Sequence, residues 1–145
     1  MAANVLALFN RLGVDSVLSW SQDHLPPGLL FTLEAAGIRI THEAQPSIRA
    51  GLTGVNAAVA ETGSLILMEG AGTPLSASLL PEIHVAICSE SDIYPSLSEA
   101  LCAPRLKRAT AAVLISGPSR TADIEMSLTI GVHGPGELYV YCLTS

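Results

Sequence analysis

Apolar side chains at Val5, Leu6, Leu8, Phe9 and Leu12 fall at the i, i+3, i+4, i+7 spacing of one helical face, and Gly13 follows as a stop. Val14, Ser16, Leu18 and Trp20 then share one side of a predicted strand, with Val17 on the other. The Pro26-Pro27-Gly28 break precedes a helix predicted over 29–36 and closed by Gly37. Ile38 and Ile40 alternate with Arg39 and Thr41, a short half-buried strand. Two apolar runs, 55–60 and 64–68, flank Glu61-Thr62-Gly63 and predict a tight β-hairpin. Beyond the Gly70–Pro74 break, 75–80 reads as a short helix and 83–88 as a buried strand. Ser96 with Glu99 three positions later has capping-box spacing and predicts a helix running to Cys102. The branched run 111–115 predicts a strand, SGPSRTADIE a turn into a helix from about Ala122, and 138–143 a final strand.

Strands alternating with helices, several of them continuous apolar runs, point to parallel strands covered on both faces. The hairpin adds an antiparallel pair. The expected fold is therefore α/β: a three-layer α/β/α sandwich around a mixed, mostly parallel sheet. At 145 residues the chain reads as one domain, 1–145. Charged residues are 14% against a usual share of about 25%, and hydrophobic ones 49%, which excludes disorder. No apolar stretch reaches the roughly 18 residues of a spanning helix. The first residues lack a basic n-region and carry Asn10, Arg11 and Asp15 where a signal peptide needs apolar side chains, so a cytoplasmic protein is expected.

A net charge of −6 and a pI near 5.0 oppose nucleic-acid binding, because the field repels phosphate backbones. The basic run Arg105-Leu106-Lys107-Arg108 reads as a solvated loop. Three cysteines without a CxxC, two of them (Cys88, Cys142) in apolar runs, read as buried free thiols rather than iron–sulfur or zinc ligands. His24, His42 and His84 show no metal-binding spacing, so no metal site is expected.

The strongest candidate chemistry is Ser116-Gly117-Pro118-Ser119-Arg120-Thr121-Ala122-Asp123-Ile124-Glu125. At a strand end and helix start, free N–H groups and the helix dipole favour an anion. Ser116, Ser119 and Thr121 offer hydroxyls, Gly117 permits close backbone approach, and Arg120 offers a bidentate clamp. Ordinary capping, with Asp123 and Glu125 complementing the dipole, explains the same residues. Glu61, in a turn between apolar runs, is a candidate acid–base or nucleophilic carboxylate if that neighbourhood is dry, and a solvated turn residue otherwise. His133, in the loop Gly131-Val132-His133-Gly134-Pro135-Gly136, is a candidate titrating group or a plain surface histidine. Thr121 stands where a nucleophile elbow needs its second glycine, and Rossmann and Walker fingerprints are absent.

The blocks GLTGVNAAVAETGSLIL, LLPEIHVAI and SGPSRTADIEMSLTIGVHGPGELYVYCL closely resemble the LUD-domain family, in its lactate-utilisation-protein-C branch, from about Gly51 to Leu143. The resemblance implies a NagB/RpiA/CoA-transferase-like fold. It also implies an accessory role in bacterial oxidation of L-lactate to pyruvate, alongside two iron–sulfur partner proteins that would carry the clusters. Family motifs fall on Thr53, Gly54, Ala60, Glu61, Thr62 and Gly63, on 116–125, and on 131–135, including Gly134. Of these, Thr53, Gly54, Thr62, Ser116, Gly117, Ser119, Arg120, Thr121, Asp123, Glu125, His133 and Gly134 are expected to bind a small carboxylate or phosphorylated ligand, with no cofactor in this chain. The chain ahead of Gly51 is less family-like, and the lead-in of longer members is expected to be missing. The alternatives are a CoA-transferase-like or sugar-phosphate-isomerase-like enzyme using Glu61, and a scaffold that binds no ligand. Glu61, Ser116, Ser119, Arg120, Thr121, Asp123 and His133 are expected to converge on one cleft at strand carboxyl ends.

Overall fold

Helix α1 (Ala2–Leu12) buries Val5, Leu8 and Phe9, the face its spacing predicted, and Gly13 ends it in the left-handed conformation at φ 69°. The computed structural model describes residues 1–118, 120–122, 128–130 and 134–144. After α1 come β1 (Ser16–Ser19), α2 (Leu29–Ala35), β2 (Arg39–Thr41) and β3 (Ala50–Gly54). A hairpin follows, β4 (Ala57–Val59) and β5 (Ser64–Met68), then α3 (Ser76–Leu79) and β6 (Ile83–Ser89). The remainder is β7 (Ile93–Tyr94), α4 (Leu97–Leu101), β8 (Ala112–Ile115), β9 (Arg120–Ala122), β10 (Leu128–Ile130) and β11 (Glu137–Leu143).

Five strands form one sheet in the order β11-β6-β3-β1-β2, every pairing parallel. Buried runs such as IHVAIC in β6 meet the requirement that parallel strands be covered on both sides. The antiparallel pairs lie apart from it. The predicted hairpin sits in a second sheet, ordered β7-β4-β5-β8. The fold is α/β, with a parallel main sheet and flanking helices.

Register assigns the faces. Gly51, His84 and Leu138 pair side by side and so share one face of the main sheet, while Leu52, Val85 and Tyr139 share the other. Helix α1 lies on the second face, where the Tyr141 hydroxyl donates to the Asn4 carbonyl at 3.3 Å. Helix α3 and the second sheet cover the first face. A Cβ on Gly51 would overlap the carbonyl of Ala77 in α3, so only glycine lets this helix sit down on β3. Ala58, Leu65 and Leu67 of the second sheet join the main core, whereas Ala57, Val59 and Ile66 form a smaller core with Ala100 of α4.

The Ser96 hydroxyl caps α4 by accepting from the Glu99 N–H at 3.3 Å. Ser96→Ala should cost about 1 kcal/mol in a denaturant melt, the usual value of an N-cap. An unchanged midpoint would show that packing on Ile66, not the cap, holds α4.

Two expectations change. The helix expected from about Ala122 does not begin there: Ala122 pairs antiparallel with Leu128 and Arg120 with Ile130, and 123–127 lie outside the described residues. Strand pairing satisfies the backbone groups of 120–122 and 128–130 where the start of a helix was expected. Cys88 is buried as expected, but Cys142 is exposed, because β11 is an edge strand. The basic run is solvent-exposed as expected, in a 3-10 turn over Pro104–Arg108 in which Arg105 pairs with Asp92 at 2.9 Å.

Candidate functional site

Strand β8 leads from the second sheet into Ser116-Gly117-Pro118, and Gly134-Pro135 leads into β11 of the main sheet. These two segments line one cleft, together with Ser78 and Leu79 of α3, Val113 to Ile115 of β8, Leu138, and His84. The cleft encloses about 200 Å³. Its lining mixes apolar side chains with the polar Ser78, His84 and Ser116, and none of its described lining side chains is acidic. Val113 and Ile115 turn inward to the core while Leu114 stays half exposed, as alternation along β8 requires.

The cleft lies where β6 and β11 begin, not at the carboxyl edge of the main sheet. Ser116 leaves the carboxyl end of β8, but Gly134 and Pro135 enter β11 at its amino end. The rule for open parallel sheets therefore does not account for this cleft, because one of its strands belongs to a separate sheet.

The turn carrying Glu61 reaches the same segment through hydroxyls. Thr62 Oγ1 lies 2.8 Å from Ser64 Oγ, and Ser64 Oγ lies 2.7 Å from Ser116 Oγ. Pairing of Leu65 with Ile115 holds this chain in register. Glu61 itself is exposed, its N–H donating to the Pro95 carbonyl at 3.3 Å, so of its two readings the solvated turn residue is the one the structure has. The apolar side chains of the flanking runs point into the two cores and leave the turn in water.

Thr53 and Gly54 separate. Gly54 lies against Trp20 and the His24 carbonyl, on a different cleft at the carboxyl ends of β3, β6 and β11. Thr53 is fully buried, and its Oγ1 lies 2.8 Å from Nε2 of His84. Arg120 and Thr121 lie in β9, and no helix begins at the turn they follow. Ser119, Asp123, Glu125 and His133 lie outside the described residues.

His84 is the residue that spacing did not single out. It is 1% exposed, in the floor of the cleft. Burial alone lowers its pKa from 6.5 to about 4, so the ring is neutral at pH 7. Its second nitrogen, Nδ1, is buried without a partner among the described residues. The available signal was a histidine inside an otherwise apolar strand, IHVAIC. Such a group is costly to bury unpaired.

Among the described residues, no three His, Cys, Asp or Glu side chains gather as metal ligands, and no helix is long and apolar enough to cross a membrane.

The architecture has a solved counterpart. A DUF162 family protein from Deinococcus radiodurans superposes with a TM-score of 0.69 over 99% of this chain and 82% of that one, at 19% identity, which shows the fold alone. In sequence, the chain is 39% identical over 137 residues to lactate utilization protein C of Halalkalibacterium halodurans, covering 88% of this chain and 55% of that protein. It is 31% identical over 139 residues to the protein of the same name from Shouchella clausii, covering 85% and 60%. The chain thus spans little more than half the length of these curated relatives. The LUD domain model matches residues 12–143, extending the likeness well upstream of Gly51. With its α/β fold and a family match over nearly its whole length, this chain belongs to the LUD-domain family.

Proposed function

We propose that this LUD domain is a component of a bacterial L-lactate utilisation system and holds a small carboxylate in the cleft between its two sheets. The observation that carries this reading is the meeting of Ser116–Pro118 with Gly134–Pro135 around one cleft free of acidic side chains among its described lining. These segments come from the two blocks that carry the family likeness most specifically. Relatives named lactate utilization protein C support the pathway. On this reading the domain acts in the cytoplasm and does not oxidise lactate alone. Redox centres sit in iron–sulfur partner proteins, and the guanidinium of Arg120 with the hydroxyls of Ser119 and Thr121 is assigned to binding the acid.

Calorimetric titration with L-lactate, pyruvate, acetyl-CoA and a sugar phosphate tests it. Binding of pyruvate or L-lactate, weakened about tenfold by Arg120→Ala through loss of a charge-assisted pair, is expected. Binding of acetyl-CoA or the sugar phosphate alone would replace this reading with the transferase or isomerase one. That second reading has one observation in its favour: Thr62, next to Glu61, joins Ser116 at the cleft through Ser64. Under it, Glu61→Gln should abolish turnover. Binding of none of the four would favour a ligand-free scaffold.

A further inference from the structure

We propose that His84 is the specificity-determining residue of the cleft, presenting its Nδ1–H to an oxygen acceptor of a small ligand. This rests on the reading of the cleft as a small-acid site, and it adds to it a group outside both motif blocks.

The tautomer follows from counting protons. Thr53 Oγ1 and His84 Nε2 share one hydrogen bond of 2.8 Å, and either atom can donate it. If Nε2 donates, the Thr53 hydroxyl proton needs its own acceptor, and no other hydrogen bond of that hydroxyl is found among the described residues. Nδ1 would then be a bare acceptor as well. If Thr53 donates, the only donor left over is Nδ1–H. Each arrangement leaves one donor over, but the first also leaves Nδ1 as an unmet acceptor, so the second, with fewer unmet groups, is the cheaper one. Burial keeps the ring neutral, so a third state with both nitrogens protonated is not populated at pH 7.

An N–H buried at 1% exposure in a cleft floor is then a donor without an acceptor. The fold gives it little else to bind. Its neighbour in register on β3 is Gly51, which has no side chain, and on β11 it is Leu138, which is apolar. Ser78, above it on α3, already donates its hydroxyl to the Leu75 carbonyl at 2.8 Å. Ser116 Oγ is engaged with Ser64. Leu79, Val113 and Ile115 supply apolar wall.

These features define the ligand's class. A cleft of about 200 Å³ is smaller than the roughly 300–1,000 Å³ of drug-sized sites, which suits a compound of few heavy atoms. A neutral N–H donor on the floor selects a carbonyl or carboxylate oxygen over an ammonium or a bare hydrocarbon end. A 2-oxo acid meets both demands, one oxygen on His84 and the carboxylate toward the mouth. A 2-hydroxy acid offers an acceptor oxygen there too, but brings a hydroxyl proton that needs an acceptor of its own beside a donor. The cleft should therefore prefer pyruvate to L-lactate.

The test is titration of the full chain, labelled with ¹⁵N-histidine, with pyruvate and with L-lactate, following the ring nitrogens of His84. Before ligand, a neutral ring protonated at Nδ1 is expected. On adding pyruvate, the Nδ1 resonance should move while Nε2 stays put. His84→Gln, whose amide can still meet Thr53 but leaves no group at the Nδ1 position, should weaken pyruvate binding about tenfold, the loss of one ligand hydrogen bond. Pyruvate binding with unmoved His84 signals, and with the wild-type affinity kept in His84→Gln, would overturn the role of His84 while leaving the small-acid reading intact. A free ring protonated at Nε2 would overturn the donor assignment. Failure of wild-type protein to bind either acid would overturn both readings together. The resonances of the wild-type ring decide the matter even where the variant does not fold.

Discussion

Gly51→Ala is expected to lower the melting temperature by about 6–12 °C, corresponding to about 3 kcal/mol of overpacking in a domain of this size. The added methyl would overlap the carbonyl group of Ala77 and lie 3.3 Å from the Pro81 ring. The first obstacle is backbone, which cannot rotate aside as a side-chain tip can. Relief requires α3 to lift from the sheet, and with it Ser78 and Leu79, which line the cleft over His84. Gly63→Ala makes the contrast. Its Cβ meets nothing within 4 Å, and only the left-handed backbone at φ +67° resists it, at a cost of about 1 kcal/mol. Thermal melts of the three proteins check the pair. Equal losses for the two variants would show that α3 yields freely and that the contact with β3 does not organise this face.

Acid should destabilise the protein through His84. Its pKa is depressed in the folded state, from 6.5 to about 4, by burial. Above pH 6.5 the ring is neutral whether the chain is folded or not, and nothing is lost. As the pH falls from 6.5 toward 4, the unfolded chain takes up the proton while the folded one refuses it, so stability drains across that window. Below about 4 both states are protonated and this loss stops growing. The whole step amounts to about 3 kcal/mol, at 1.36 kcal/mol for each pKa unit. Carboxylates add slopes of their own, so the diagnostic quantity is a difference. Urea melts at pH 7.5 and 4.5 should show wild type losing clearly more than His84→Gln across the interval. Parallel losses would mean that His84 is not held neutral by its burial. An acid that docks on Nδ1 should raise the stability of the wild type at both pH values, because it binds the folded state alone.

Local periodicity carried most of the element list. The face of α1, the left-handed stop at Gly13, the hairpin around 61–63 and the buried run of β6 all follow from spacing and turn chemistry acting over a few residues. The α/β class was legible for the same reason: alternating helices and apolar strands leave few ways to bury both. Strand β3 was harder to read, since its two glycines weaken any strand signal, and those glycines are there for close neighbours, α3 at Gly51 and Trp20 at Gly54.

The segment after Ser116 shows where periodicity ends. Thr121 and Ala122 read locally as the start of a helix, and pairing with 128–130 makes them a strand instead. A short run has too few residues to bury a face by itself, so its partner chooses its state. The candidate site depends on tertiary structure still more. Sequence alone marked the residues of the family motifs and the acidic net charge. It could not bring Ser116 to Ser64 across 52 positions, nor put Thr53 beside His84 across 31. It could not show that Glu61 faces water. Those outcomes depend on the register between strands distant in the chain and on which sheet covers which face. A side-chain period of two tells which residues of one strand point together, but not what they will meet. His84 stands between Ile83 and Val85 as an ordinary core position would. Only the stacking of α3 and β8 over its face leaves one of its nitrogens unpaired beneath a cleft.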